Sequence, residues 1–150
     1  MPVMTSATTP GGWAVTASTE YNSGAAGWYA VRTPLAYNGW LTDGSALPQW
    51  LAVSLPRPYV VAAYQLIPWW ADNFPGRTPT AWTLEGSNDG TTWYVLDTRT
   101  GITWGSATAI RGFPVASPVT PYTRFRIYIS ANGGNAYTGL GWFQLIGRRF

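Results

Sequence analysis

An all-β sandwich or barrel is the fold this 150-residue sequence predicts, and three observations predict it. Clusters of Gly, Pro, Asn, Asp and Ser punctuate the chain at short intervals. Between them lie short runs in which apolar and polar residues alternate, the period of a half-buried strand. No amphipathic helix longer than about two turns interrupts the series. Many short strands with recurrent turn signals define that class of fold, and the length suits one domain with one sizeable core.

Residues 1–12 are small and polar, with Pro2, Pro10 and a Gly pair, and read as an arm. The first strand is expected at 13–18. A Gly/Ser/Asn loop follows at 21–27, then a turn of helix at 28–31. Residues 33–47 are irregular, with Pro34, Asn38-Gly39 and Asp43-Gly44; stretches this long are usually functional or anchored on a scaffold. Residues 49–55 and 60–67 read as two strands, the first ended by Pro56 and Pro58 and the second by Pro68. Residues 69–80 form a loop rich in Pro, Gly, Asp and Asn. Further strands are expected at 81–86, 93–98, about 107–113, 123–130 and 141–146, making about eight. Within 124–129, Phe125, Ile127 and Ile129 take one face and Arg124, Arg126 and Tyr128 the other. The first set belongs in the core; charges on the second discourage edge pairing if the strand is exposed. No internal repeat or low-complexity segment is present.

The most informative stretch is Leu84-Glu85-Gly86-Ser87-Asn88-Asp89-Gly90-Thr91-Thr92-Trp93. Trp82 and Leu84 alternate with Thr83 and Glu85. Asn88-Asp89-Gly90 supplies residues that tolerate the positive φ of a hairpin, and Trp93 opens the next apolar run. This LEGSNDGTTW pattern, with LPQWLAVSL upstream and YTRFRIYIS downstream, resembles the discoidin domain, also called the coagulation factor type C domain. The resemblance covers about 13–147, leaving 148–150 as a tail. It is firmest at Pro48-Gln49-Trp50-Leu51, at Arg77-Thr78-Pro79 leading into 82–87, at Trp93, and at Arg124-Phe125-Arg126-Ile127. It implies a jelly-roll β-sandwich of about eight strands, galactose-binding-like, with ligand loops gathered at one end. Several such domains bind galactose-type sugars or phospholipid head groups, and similar sequences occur in phage tail and capsid proteins. Many relatives also carry Asp-Gly in a loop that holds a structural calcium. Here that place is Val31-Arg32-Thr33, and a cation there repels Ca²⁺; Asp43 is a nearby substitute, but calcium is disfavoured and no cofactor is expected.

Composition excludes several function classes. Only 10% of residues are charged, while ten Trp, nine Tyr and five Phe contribute 16% aromatics. That is more aromatic surface than one small core absorbs, at roughly 150–250 Å² per ring, so some rings belong at an interface. All nine basic residues are Arg, scattered along the chain, and the net charge is +3. A nucleic-acid reader shows a clustered basic stripe instead. There is no Cys, hence no disulfide or thiolate metal site, and no His, the commonest general base. Ser–His and Cys–His nucleophiles are thereby ruled out. Of the six carboxylates, Glu85 and Asp89 flank a hairpin turn and Asp97 ends a strand. Glu20, Asp43 and Asp72 sit in loops with no sign of a glycosidase pair. The sequence is read as a non-enzyme. No apolar run approaches a membrane span, and the first residues lack a basic region followed by an apolar run, so no secretory signal is expected.

Candidate ligand residues follow from exposed-aromatic logic. Trp69-Trp70 cannot both face the core of one strand; with Asn73 and Arg77 in the same loop they suit a sugar ring or a neighbouring subunit. The competing reading has Trp69 capping the sandwich, Trp70 packing on a loop and Arg77 pairing with an acid. Asn132, Asn135 and Tyr137 form a second loop, implied by the resemblance to lie at the same end, where Asn and Gly also serve plain hairpin geometry. Tyr37 and Trp40 form a third set. Trp13, Trp28, Trp50, Trp82, Trp93 and Trp142 are assigned to the core. Arg148, Arg149 and Phe150 are either a solvated tail or an anchor on a neighbouring subunit. The expected function is a non-catalytic virion-surface module from a phage that attaches to cell-surface glycans, within a homo-oligomeric or larger assembly. The alternative is a capsid-decoration or tail component whose aromatics and termini pack on other virion proteins.

Overall fold

The computed structural model describes residues 1–32 and 38–149; the expectations for Tyr37 and Phe150 lie outside the described residues. Eight strands are hydrogen-bonded among these residues: β1 Ala14–Ala17, β2 Trp40–Leu41, β3 Gln49–Pro68, β4 Pro79–Ser87, β5 Tyr94–Arg99, β6 Arg111–Pro114, β7 Tyr122–Asn132 and β8 Gly139–Arg149. Two 3₁₀ turns, Ser23–Ala25 and Gly27–Val31, lie between β1 and β2. The order is β2-β8-β3-β7-β4-β5, with β1 and β6 also pairing to β3.

The long β3 organises the molecule. Twenty residues of straight strand would span about 66 Å, whereas a 150-residue domain is only about 40 Å across. The strand therefore changes layer at Pro56, Arg57 and Pro58, all exposed. Residues 49–54 pair with β7, and residues 51–54 also with β1; residues 59–68 pair with β8, and residues 63–66 also with β6. The prolines were expected to separate two strands. Instead they sit where pairing passes from one layer to the other, at a point that needs no backbone donors.

Register explains the core. Leu84 opposes Ile127, which opposes Leu51; Gly86 opposes Phe125, which opposes Val53. These rows point inward and are buried. Gly86 leaves room for the Tyr122 ring, which a Cβ would strike, so the glycine of the LEGS motif is a packing requirement. In the opposite layer a bulge between Val61 and Ala63 shifts the phase. Val61, Tyr64 and Leu66 can then all face the same core as Phe143 and Leu145. Trp82 meets Phe113 edge-on at 5.1 Å, and Tyr64 stacks on Phe113 at 5.3 Å. Trp82 Nε1 donates to the Tyr64 hydroxyl (2.8 Å), which donates to Asp97 (2.6 Å). Arg99 Nε closes the chain on the same carboxylate at 2.7 Å.

Other expectations change in detail. The arm docks on the sandwich: Met4 joins the main core, and Val15 N–H donates to the Ala7 carbonyl. β6 starts at Arg111 rather than 107, because Ser106 captures the N–H of Thr108 in a turn. β7 is an interior strand between β3 and β4, so its Arg residues protect no edge. Arg148 and Arg149 are no tail: they pair with Val60 and Tyr59 within β8. Trp50 and Trp93, expected in the core, are half-buried on the outer face of the sheet. No helix among the described residues is long and apolar enough to cross a membrane.

Candidate functional site

The chain entering β4, the chain entering β8 and the loop after β1 meet at one end of the sandwich. The first two are locked by backbone contacts. Gly133 N–H donates to the Thr78 carbonyl, Asn135 N–H to Gly76, and Gly139 N–H to Arg77. Gly133 must lack a side chain, since a Cβ would collide with the Pro75 carbonyl and lie 2.9 Å from the Gly76 Cα. Thr42 and Thr138, both buried, exchange bonds of 2.9 Å and tie β2 to this frame. Tyr21 N–H donates to the Leu41 carbonyl (2.8 Å) and brings in the third loop.

Between them lies a cleft of about 390 Å³, lined by Tyr21, Asn22, Leu41, Trp69, Asp72, Arg77 and Tyr137 with Gly24 and Ala25. Asp72 is its polar centre. Its Oδ1 accepts from Trp69 Nε1 at 2.9 Å and from Arg77 Nη1, and its Oδ2 accepts from Asn73 Nδ2 at 3.1 Å. The Trp69 bond, then the Arg77 charge, hold the Asp72 carboxyl below its ordinary value. The Arg77 guanidinium lies 5.0 Å from the Tyr137 ring centre, and Tyr21 meets that ring edge-on at 5.7 Å. Asp72 keeps 54% of its side chain exposed while Arg77 keeps 14%. Among the described residues Arg77 Nε is buried without an acceptor, an arrangement that costs about 1–3 kcal/mol. Its pose is thus imposed by the ring and the carboxylate. Tyr21, 54% exposed, offers the open aromatic face, with aromatic body and fixed polar atoms in the combination that ligand clefts use.

The sequence-derived candidates divide on this geometry. Trp69, Arg77 and Tyr137 line the cleft. Trp69 is also buried, so it caps the sandwich as its alternative reading had it, and Arg77 pairs with an acid as well. Trp70 is half-buried beside Gly141 and stacks on Trp69 at 6.4 Å, outside the cleft lining. Asn73 takes a positive φ of 53° and steadies Asp72. Asn132 spends Nδ2 on Asn135 O, Tyr137 O and Thr138 Oγ1. Asn135 holds the Tyr137 N–H. These three Asn residues shape loops and do not line the cleft. Trp40 is wholly buried and donates to the Thr19 carbonyl at 2.8 Å, so it is a core residue: β2 pairing turns it inward. Arg148 and Arg149 end β8, about 30 Å of strand away from the cleft. Sequence reasoning overlooked Tyr21 and Asn22 and weighed Asp72 only as a catalytic acid. The available signal was an aromatic opening a Gly/Ser/Asn loop. Glu20 and Asp43 serve the backbone, accepting from Gly27 N–H and Ser45 N–H.

No family model matches the chain, and no curated protein does. Solved structures do. The chain superposes on a carbohydrate-binding module from Clostridium perfringens, CpGH89CBM32-5, in complex with GalNAc-β-1,3-galactose, with a TM-score of 0.74, 18% identity and coverage of 95% of this chain and 100% of that one. An F5/8 type C domain from Bacteroides fragilis gives 0.74, 18%, 92% and 93%. Chitosan-binding module 2 of a chitosanase/glucanase from Paenibacillus sp. IK-5, in complex with chitotriose, gives 0.72, 25%, 91% and 97%. The protein has the discoidin-like, galactose-binding-like β-sandwich fold that the LEGSNDGTTW stretch suggested.

Proposed function

We propose that the chain is a non-catalytic saccharide-binding module whose loop-end cleft takes a sugar of a surface glycan. The observation that carries this reading is the convergence of Tyr21, Tyr137 and the Asp72–Arg77 pair around one opening. An open aromatic face packs on the C–H side of a sugar ring. A carboxylate and guanidinium fixed by Trp69, Asn73 and Tyr137 bond its hydroxyls without reordering, which keeps the entropy cost of binding low. Fold neighbours solved with GalNAc-β-1,3-galactose and with chitotriose support the ligand class. The absence of His and Cys from the sequence supports a binding rather than a catalytic role. Display on a phage virion, beside other virion proteins, is the outer part of the proposal. Its support is the cysteine-free, charge-poor composition, and labelling of purified particles with antibody checks it.

The test is a glycan array followed by calorimetry. Tyr21→Ala and Arg77→Ala are expected to lower affinity at least tenfold, with far-ultraviolet dichroism and melting temperature unchanged for Tyr21→Ala. A wild-type protein that binds no glycan, or variants that bind as wild type does, overturns the reading.

A further inference from the structure

A second feature lies on the sheet rather than at its end. In the layer β1-β3-β7-β4-β5, the side chains opposite the core form an outward row on each strand. On β3 the row is Trp50, Ala52, Ser54; beside it on β7 stand Tyr128, Arg126 and Arg124, in register. The small Ala52 and Ser54 leave a trench of about 280 Å³ between Trp50, Trp93, Arg124 and Arg126. Trp50 to Ser54 spans about 13 Å along the strand. Trp50 and Trp93 are only half-buried, although an indole gains by leaving water.

The walls are rigid and carry charge. Arg126 lies 4.3 Å from the Trp93 ring centre and 4.8 Å from that of Tyr128, with Nε on Glu85 at 2.5 Å. That charge is neutralised. Arg124 is not: its Nη1 donates to the Asn88 carbonyl, and no carboxylate pairs with it among the described residues. The nearby Asp89 turns Oδ1 toward the N–H groups of Thr91 and Thr92. The hydroxyl of Ser54 and that of Thr16, which also lines the trench, bond no other described residue. The occupant must therefore offer a flat apolar face, hydroxyl partners and negative charge. A peptide strand is poorly served, because residues 51–54 and β7 already have strand partners on both sides and present no free edge.

The geometry points to a second binding site in this trench, for a carboxylate-bearing polysaccharide lying across the sheet. It stands independently of the loop-end cleft. Alginate, a polyuronate, and neutral dextran of matched length are the probes, titrated against the full chain at low and high salt. Alginate binds, dextran does not, and added salt weakens the complex. Arg124→Gln lowers alginate affinity about tenfold, the loss of one charge-assisted contact. Ser54→Phe, which fills the trench, does at least as much. Tyr21→Ala, in the other cleft, leaves alginate binding unchanged, so failure of either site reads separately. Arg57→Gln removes an exposed charge elsewhere; an equal loss there shows general electrostatic attraction and overturns the proposal. So does alginate binding untouched by both trench variants, or no alginate binding at all.

Discussion

Asp72 concentrates the chemistry of the loop-end cleft in one side chain. Its folded carboxyl titrates below the ordinary value of 3.8, first because of the Trp69 bond. A depressed native pKa contributes stability above the unfolded value, and that contribution disappears as pH falls through the native value. With half of the side chain exposed, the global effect is small, under about 1 kcal/mol, and the change is confined to the cleft. Sugar affinity is therefore expected to hold steady from pH 7 down to the ordinary carboxylate value of 3.8 and to fall only below it, as Trp69 and Arg77 lose their shared acceptor. Calorimetric titration across that range checks it, and Asp72→Asn should remove the acid limb while leaving the fold intact. Reading the sequence singled out Trp69 and Arg77 but treated Asp72 as a catalytic candidate. Its role depends on a three-residue and a five-residue reach within one irregular loop, and loop side-chain reach leaves no periodic trace.

Among the strands, alternation was legible wherever one face alone meets the core. Phe125, Ile127 and Ile129 are all fully buried, as their spacing predicts. The same rule, applied to Leu51, Val53 and Leu55, already turns Trp50 outward; hydrophobicity of the indole masked it. Less legible were features set by distant partners. The continuity of β3 through Pro56 and Pro58 depends on β8 and β7 taking turns beside it, and the burial of Trp40 depends on β8 lying alongside β2. The link between β4, β3 and β5 through Trp82, Tyr64 and Asp97 is equally invisible in sequence. Burial raises the Tyr64 pKa well above that of a free phenol, keeping the proton it donates to Asp97. Tyr64→Phe strands the Trp82 Nε1 donor in the core and should cost about 1–3 kcal/mol. Urea unfolding should show a lower midpoint with an unchanged slope. In the paired loops, Gly133→Ala forces backbone apart at Pro75 and Gly76. Overpacking of this kind costs about 1–3 kcal/mol, and the sugar site should loosen with it, seen as weaker glycan binding and faster amide exchange at position 133 and at Asn135.

For the molecule as a unit, the open question with a thermodynamic answer is calcium. Discoidin-like domains of the kind the sequence resembles often hold the ion in the loop after the first helical turn. In this chain that turn is Gly27–Val31, and the next residue, Arg32, places its guanidinium 5.2 Å from the Tyr29 ring centre and 5.7 Å from that of Trp28. A cation already stacked on that surface disfavours a second one nearby. Asp43, the substitute ligand, accepts from Ser45 N–H within its own turn, and no group of three or more acidic, His or Cys side chains gathers among the described residues. A bound ion at a hundred times its Kd would stabilise the fold by about 2.7 kcal/mol, or roughly 5–10 °C in melting temperature for a chain of this length. The melting temperature is therefore expected to agree within about 1 °C in millimolar calcium and in excess EDTA, by scanning calorimetry. A calcium-dependent rise of 5 °C or more would mean that main-chain oxygens and Asp43 assemble a site despite Arg32. Arg32→Asp should then strengthen it further, whereas with no site present that variant should leave the melting temperature indifferent to the ion.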